Sequence, residues 1–407
     1  MKCRHCSQEL DLLFLDLGYS APSNAYLSQA DLSKPEITFP LRVFACNNCW
    51  LVQTEDFADA DTLFSNDYAY FSSVSKTWLE HAKLYCKSII ERLDLNSDSF
   101  VIELAANDGY LLKNFVANDI PCLGIEPTES TAKAAEAIGI PVLREFFGFD
   151  TSQTLKQDKK MADLVIGNNV YAHVPDINDF TKGIKNILKP GGTVTLEFPH
   201  LLELIKHRQF DTVYHEHFSY LSLYTVKRIF EAHALRVFDI ERLPTHGGSL
   251  RIYGCHNNDL RQTQQSVDTI LQEEEAHGLQ SKAIYEAFQN KADTIKNALC
   301  KFLIEQKEAG KIVAAYGAAA KGNTLLNYAG IRQDLLSYIC DAAPSKQGKY
   351  TPSGHIPIYS PEHIKEKKPD YVLILPWNIA EEVINQMSFI SDWGGKFVTA
   401  IPELKVV

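Results

Sequence analysis

The sequence lacks the features of a nucleic-acid binder, a membrane protein or a secreted protein. Its 407 residues contain 40 Lys and Arg against 51 Asp and Glu, so the formal net charge is -11. The sequence also contains no basic patch of the kind that binds a phosphate backbone. No apolar run approaches the roughly 18 residues of a membrane-spanning helix. The opening residues MKCRHCSQEL carry no hydrophobic signal core. We therefore expect a cytoplasmic protein with no nucleic-acid or membrane partner.

The nine cysteines are unevenly distributed. Four of them fall in the first 49 residues as two C-x2-C pairs, Cys3/Cys6 and Cys46/Cys49. Since cysteines stay reduced in the cytoplasm, two such pairs predict a tetrahedral Zn²⁺ with four thiolate ligands. The gap of 39 residues between the pairs is longer than the roughly 15 to 20 of an ordinary zinc ribbon. A redox role for the pairs is the alternative, but neither pair has catalytic residues around it. A site closed by four ligands would be structural.

The middle of the chain alternates between strand and helix patterns. From about residue 85 to 200, apolar strands are predicted at Phe100 to Leu104 and in the runs PCLGIEP, ADLVIGNNV and GGTVTLEFP, with helical patterns between them. This alternation is typical of a parallel sheet covered by helices. A charged helical stretch from about Gln262 to Gly310 then leads into a second alternation that begins at KIVAAYGAAAKGNTLLNYAG. The fold class is therefore α/β, and we expect three domains over residues 1–70, 71–250 and 251–407.

The first glycine turn lacks the dinucleotide fingerprint. A dinucleotide enzyme carries G-x-G-x-x-G after its first strand, whereas here Gly109 stands alone. An acid, Glu103, ends the strand, and Glu126 follows the next strand, where a carboxylate can bind ribose hydroxyls. Either glutamate alone could be an ordinary solvated carboxylate. Together they favour a nucleoside cofactor without phosphates, such as S-adenosylmethionine, whose positive sulfonium tolerates acidic neighbours.

Several specific runs occur together along essentially the whole chain: the C-x2-C pairs, ELAANDGYLL, GIEP, YHEHFSY and GAAAKGNTLLN. With them the sequence resembles the sugar C-methyltransferases of branched-chain deoxysugar pathways, such as those that make tetronitrose, mycarose and noviose. The resemblance implies an N-terminal zinc-binding domain, a central class I methyltransferase domain and a C-terminal Rossmann-like domain. It also implies methylation by S-adenosylmethionine of C3, less often C5, of an NDP-4-keto-6-deoxysugar.

The run YHEH supplies candidate groups for this chemistry. A sugar carbon becomes a nucleophile only when a neighbouring ketone acidifies its C–H, so the enzyme needs a base, and histidine is the commonest base near neutral pH. Tyr214, His215, Glu216 and His217 place two imidazoles, a carboxylate and a phenol side by side. If the run is extended, the two histidines share one face, and local geometry does not decide which is the base. A metal site is disfavoured because the run lacks the spacing of HExxH.

The resemblance assigns roles to individual residues. It implies that His217 is the general base and that Tyr214, Glu216 and a tyrosine of the YAYFSS run, Tyr68 or Tyr70, line the sugar site. The implied cofactor contacts are Glu103, Ala105, Asn107, Gly109, Glu126 and Asn168. The implied substrate contacts are Tyr70, Asn169, His173 and His215.

The late turn Gly317-Ala318-Ala319-Ala320-Lys321-Gly322 is a near match to the dinucleotide fingerprint. Because Ala319 stands where a close-lying pyrophosphate requires glycine, we expect Lys321 to face the diphosphate of the substrate instead. Arg251, in a run that resembles a family loop, is a second candidate for the sugar phosphates. An NAD(P)-dependent nucleotide-sugar oxidoreductase and a protein-binding adaptor remain alternative functions. The sequence leaves open whether the substrate is dTDP- or GDP-linked, whether the sugar carries a 3-amino or a 3-hydroxyl group, and whether C3 or C5 is methylated. It also leaves open the stereochemistry of the product and whether the protein is a monomer or a weak dimer.

Overall fold

A computed structural model describes residues 1–57 and 71–407, and in this part of the chain the strands form three sheets. The strands are β1 (Leu12–Ser20), β2 (Phe39–Ala45), β3 (Val52–Thr54), β4 (Val101–Leu104), β5 (Cys122–Ile125), β6 (Val142–Leu143), β7 (Ala162–Asn168), β8 (Leu188–Pro199), β9 (Ser219–Tyr220), β10 (Leu235–Leu243), β11 (Ser249–His256), β12 (Val313–Tyr316), β13 (Ile339–Cys340), β14 (Ile358–Tyr359), β15 (Tyr371–Ile374), β16 (Lys396–Thr399) and β17 (Lys405–Val406). The helices are α1 (Lys76–Leu93), α2 (Lys113–Val116), α3 (Glu129–Ala137), α4 (Phe149–Gln157), α5 (Ile177–Ile187), α6 (Leu201–Lys206), α7 (Leu223–Ala232), α8 (Gln265–Ala276), α9 (Lys282–Glu286), α10 (Phe288–Glu308), α11 (Ala320–Tyr328), α12 (Glu362–Lys367) and α13 (Ala380–Gln386).

The central sheet has seven strands in the order β6-β5-β4-β7-β8-β11-β10. The strands from β6 to β8 are parallel, whereas β11 is antiparallel to both of its neighbours. All four residues of β4 are buried, as expected for a parallel strand covered on both faces. Asp176 caps α5 by accepting hydrogen bonds from the backbone of Asn178 and Asp179. The predicted strands are confirmed, and their carboxyl ends meet at one edge of the sheet.

The N-terminal sheet contains a strand from the middle of the chain. Its order is β1-β2-β3-β9, and β9 follows directly after the YHEH run. The antiparallel register pairs Val52 with Tyr220 and Gln53 with Ser219. The YHEH run is therefore attached to the N-terminal domain as well as to the central one.

The C-terminal sheet has the order β14-β13-β12-β15-β16-β17, parallel except for β17. The charged helical stretch before it, predicted from about Gln262 to Gly310, forms three helices, α8, α9 and α10. The chain turns after α8 at Gly278, which has a φ of +81°. Of these helices, α9 and α10 cover the N-terminal sheet, where the ring of Phe14 stacks on Phe288 at 4.6 Å between centroids, whereas α8 packs in the core of the central sheet. One hydrophobic core therefore joins the first and last domains.

None of the helices in residues 1–57 and 71–407 is both long enough and apolar enough to cross a membrane.

Candidate active site and zinc centre

The four cysteines of the two C-x2-C pairs come together beside the N-terminal sheet. Cys3 Sγ lies 3.4 Å from Cys49 Sγ, and Cys6 Sγ lies 3.5 Å from Cys46 Sγ. All four sulfur atoms lie within 4.8 Å of one another. Thiolates bound tetrahedrally to zinc at about 2.3 Å are about 3.8 Å apart, so the cluster fits Zn²⁺. Four sulfur ligands leave no coordination position for a substrate, which makes the site structural.

Two glutamates mark the cofactor edge of the central sheet. Glu126, just after β5, accepts hydrogen bonds from the backbone N–H of Asn107 (2.9 Å) and of Thr128 (3.0 Å). Glu103, at the end of β4, is buried, and its Oε2 has no partner among the described residues. Burial, with the charges of Glu126 and Asp108 nearby, raises the pKa of Glu103 well above its ordinary value. An acceptor-rich, desolvated edge of this kind fits a positively charged nucleoside cofactor.

The turn between these glutamates has an unusual backbone. Ala105, Asn107 and Gly109 have φ angles of +56°, +51° and +76°. Only at Gly109 is a side chain also excluded by packing, because a Cβ there would lie 2.3 Å from Cδ1 of Ile140. The left-handed residues bring the backbone of the turn back under Glu126, and they explain why a single glycine suffices.

Asn168 and Asn169 end β7 at the same edge. Both side-chain amide atoms of Asn168 are buried without a partner in the described structure, leaving one donor and one acceptor available to a bound group. Asn169 takes a left-handed φ of +54°, and its Nδ2 lies 3.2 Å from Nε2 of His246. The orphaned Asn168 amide and the neighbouring carboxylates match the polar groups of S-adenosylmethionine.

The segment before α1 packs against the turn that follows β4. The backbone N–H groups of Ser72 and Ser73 donate to Asn107 Oδ1 and Asp108 Oδ2, both at 3.0 Å. Tyr68 and Tyr70, which were predicted to reach the sugar site from this segment, lie outside the described residues.

The YHEH run forms a tight turn and not the extended segment considered from the sequence. The backbone N–H of His217 donates to the carbonyl of Tyr214 at 3.0 Å, and the two rings lie 4.0 Å apart between centroids with their planes tilted by 38°. His217 Nδ1 lies 3.1 Å from the carbonyl oxygen of Thr212. Because a carbonyl only accepts, Nδ1 carries the proton, and Nε2 of the neutral ring is left as the proton acceptor.

Burial keeps His217 and the neighbouring His173 neutral. Burial, with the positive charge of a protonated His173 next, holds the pKa of His217 well below its usual 6.5, although the bond to Thr212 opposes the shift. The His173 ring packs edge-on against His217 at 4.5 Å, and its Nδ1 lies 2.8 Å from the carbonyl of Glu216. Burial lowers the pKa of His173 to about 4. His217 is therefore unprotonated near neutral pH, as a base must be.

The two remaining residues of the run face the N-terminal domain. Asn24 Nδ2 lies 3.0 Å from each carboxylate oxygen of the buried Glu216. His215 turns away from His217, and its Nε2 lies 3.2 Å from the carbonyl of Pro40. The structure thus separates the two histidines, which sequence reasoning left indistinguishable. The contribution of Asn24 was missed because nothing in its local sequence marks it.

Comparison with known proteins gives the family. Three family models match successive parts of the chain: a zinc binding domain over residues 3–64, a methyltransferase domain over 78–239 and a C-methyltransferase C-terminal domain over 244–402. The C-methyltransferase NovU of Streptomyces niveus is 32% identical over 407 residues, covering 100% of this chain and 96% of that protein. The chain belongs to the C-methyltransferases. The resemblance seen in the sequence and the α/β fold class with its zinc-binding and class I domains are confirmed.

Solved structures of smaller proteins match this C-methyltransferase only in part. The 1,6-didemethyltoxoflavin-N1-methyltransferase of Burkholderia thailandensis has a TM-score of 0.37 at 13% identity and covers 52% of this chain and 97% of its own. A protein from Pyrococcus horikoshii OT3 has a TM-score of 0.38 at 14% identity and covers 49% of this chain and 100% of its own.

The family settles the cofactors and the reaction class. This C-methyltransferase uses S-adenosylmethionine and carries a structural zinc. The alternative of an NAD(P)-dependent oxidoreductase is set aside. The late glycine turn has a packing explanation, since Gly317 has a φ of +87° and a Cβ there would lie 2.5 Å from Cδ of Pro376.

Arg251, predicted to meet the sugar phosphates, is paired with two carboxylates in the structure. Its guanidinium is not an open fork for phosphates, because it bonds to Glu197 at 2.7 Å and to Glu241 at 2.9 Å. Glu197 is buried at the end of β8 and also lies 2.9 Å from Nε2 of His81. The Arg251 guanidinium is therefore held between two carboxylates. Glu197, Glu241 and His81 were not identified from the sequence.

Lys321 lies where the C-terminal domain meets the YHEH turn. Its Nζ donates to Asn378 Oδ1 at 2.6 Å and lies 4.6 Å from the ring centre of Trp377. Trp377 Nε1 in turn donates to the buried Asp211 at 2.7 Å. Burial raises the pKa of Asp211 to about 6, although the charge of Lys321 and the Trp377 bond oppose the shift. Trp377 and Asp211 were missed, and the available signal for Trp377 was its place at the end of the apolar run PDYVLILPW.

Proposed function

We propose that the enzyme transfers a methyl group to C3 of an NDP-4-keto-6-deoxysugar, with His217 as the general base. The observation that carries the proposal is the buried, neutral imidazole of His217, whose Nδ1 is held by the Thr212 carbonyl. The ring of His217 contacts the rings of His173 and Tyr214. His173 lies just beyond the end of β7, at the cofactor edge of the central sheet. The resemblance to sugar C-methyltransferases supports the substrate class and favours C3 over C5.

The reaction requires one proton transfer before the carbon–carbon bond forms. His217 Nε2 removes the proton from the carbon next to the ketone, and the electron pair of that C–H bond passes to the ketone oxygen as an enolate. S-adenosylmethionine, held near Glu103, Glu126 and Asn168, would supply an electrophilic methyl group to the enolate carbon, and the electrons of the broken C–S bond would stay with S-adenosylhomocysteine. The proton stays on Nε2 of His217 until it passes to solvent.

The surrounding residues are proposed to bind and orient the sugar. Tyr214 and Glu216 flank the base in the turn, and Asn169 and His173 approach it from the end of β7. Lys321, from the start of α11, is proposed to meet the diphosphate of a dTDP- or GDP-linked sugar, because the amino end of a helix and a cation both attract phosphate. Arg251 is left out of the proposed phosphate contacts, since its charge is already matched by two carboxylates.

The test replaces the base with a neutral side chain of similar size. We expect His217→Gln to lower kcat at least about 100-fold, since a positioned base contributes about that much. S-adenosylmethionine should bind with nearly unchanged affinity, measured by calorimetry. Methyl transfer is measured by mass spectrometry as a methyl-sized gain on dTDP- and GDP-linked 4-keto-6-deoxyhexoses. The exposed His277, replaced as His277→Gln, is the matched control and should keep full turnover. Wild-type turnover in the His217 variant would reject the assignment.

A further inference from the structure

We propose that Thr54 and Thr324, one from each flanking domain, are positioning residues that hold the two ends of the YHEH turn. The inference rests on the proposed role of His217 and adds two residues that contact neither substrate nor cofactor. Thr54 lies in β3 of the N-terminal sheet, and Thr324 lies in α11 of the C-terminal domain. Both side chains are 2% exposed.

Each hydroxyl donates to a backbone carbonyl of the turn. Thr324 Oγ1 donates to the carbonyl of Val213 at 2.9 Å, and Thr54 Oγ1 donates to the carbonyl of His217 at 3.1 Å. Val213 directly precedes the YHEH run and His217 ends it. The two threonines therefore hold the chain just before the first residue of the run and at its last residue, from opposite domains.

The anchored carbonyls adjoin the group that orients the base. His217 Nδ1 bonds to the carbonyl of Thr212, the residue before Val213. A shift of the chain at Val213 moves that acceptor, and a shift at His217 moves the imidazole itself. Either shift changes the position of Nε2, and a displacement of about 1 Å can cost about 100-fold in rate.

The choice of threonine is not explained by the elements that contain it. Inside a helix a threonine hydroxyl usually bonds back to a carbonyl of the preceding turn, and this slightly disfavours the helix. Thr324 instead directs its hydroxyl out of α11 to Val213. Thr54 likewise reaches past the β3–β9 pair to His217, two residues before β9 begins. Both hydroxyls therefore serve the turn and not their own element.

The experiment removes each hydroxyl without changing the shape of the side chain. Thr54→Val and Thr324→Val lose the donor, whereas Thr54→Ser and Thr324→Ser retain it. Thr181→Val is the matched control, because Thr181 is equally buried and donates to the carbonyl of Ile177 at 2.6 Å in α5. The readouts are kcat and KM for methyl transfer, and exchange of the acidic C–H in D2O with S-adenosylhomocysteine bound. The probes are dTDP- and GDP-linked 4-keto-6-deoxyhexoses.

We expect each valine variant to lower kcat and the exchange rate at least about tenfold. KM should stay within about threefold of wild type, and the serine variants should return kcat to within about threefold. Thr181→Val should leave both rates unchanged. If a valine variant does not fold, the alanine and serine variants at that position give the same comparison. Valine variants with wild-type kcat and exchange, or serine variants no better than valine, overturn the inference. Exchange that survives in His217→Gln instead rejects the proposed base, whatever the threonines do.

Discussion

Glu103 is a buried carboxylate whose ionisation works against folding. Because burial raises its pKa, the protonated form stabilises the folded chain at acid pH, and this stability is lost as pH rises through the folded-state pKa. We expect cofactor-free Glu103→Gln to be more stable than wild type at about pH 8, by about 1 kcal/mol or more, and to differ little at about pH 5. Differential scanning calorimetry at both pH values checks this.

The same substitution should weaken the binding of S-adenosylmethionine, since a neutral amide no longer attracts the sulfonium. Glu126→Gln is the comparison, because its carboxylate already accepts two backbone N–H groups, and its loss should destabilise the turn. A Glu103→Gln variant less stable than wild type at both pH values would contradict the burial argument.

How far single residues could be predicted depends on whether their partners are local. Glu103 and Glu126 were identified because Glu103 lies at the end of a recognisable apolar strand and Glu126 directly follows another. The environment of Arg251 could not be predicted, since it depends on a register that pairs Arg251 with Glu197 across β11 and β8. A strand pairing formed by residues 54 positions apart leaves no signal in either local sequence.

Among the elements, β9 decides the shape of the site. The YHEH run was considered as an extended strand because its composition alone gives no turn signal. In the structure only Ser219 and Tyr220 are extended, since they pair with β3, and Tyr214 to His217, separated from them by Phe218, close a turn. The strands of the central sheet were predictable from apolar runs, whereas this short strand forms only because it pairs with residues 166 and 168 positions earlier in the chain.

Part of the zinc site lies in the connection that precedes β3. Cys46 and Cys49 lie in the connection between β2 and β3, so metal binding fixes the approach to that strand. We expect Cys46→Ser to lower the zinc content below one ion per chain and to lower the unfolding free energy by several kcal/mol, because metal affinity is coupled to folding. Elemental analysis and thermal unfolding measure the two effects. Cys300→Ser is the control, since Cys300 lies in α10 outside the cluster and should keep the zinc. Full stability in a zinc-free Cys46 variant would reject a structural role.

At the scale of the whole molecule, all three sheets contribute to the surroundings of one turn. The central sheet ends at Asn168 and Asn169, the N-terminal sheet includes β9, and the C-terminal domain brings Lys321 and Trp377 beside Asp211. The sequence predicted the three domains but not this convergence, because it depends on packing between elements far apart in the chain. The net charge of -11 makes the few cations near the turn important for an anionic substrate.

The charges that meet at this turn predict the pH dependence of the enzyme. His217 must be neutral to accept a proton, and burial, followed by the nearby His173, lowers its pKa, so kcat/KM should fall only below about pH 6.5. Burial also lowers the pKa of Lys321, while the charge of Asp211 opposes the shift. If Lys321 binds the diphosphate, kcat/KM should fall again on the alkaline side, below the usual lysine value. Rates measured from about pH 5 to about pH 10 should therefore give a bell-shaped profile.

In Lys321→Met the alkaline limb should disappear, and the acid limb should move to higher pH because a cation near His217 has been removed. An acid limb above about pH 6.5 in the wild-type enzyme would mean that His217 is not the group that titrates.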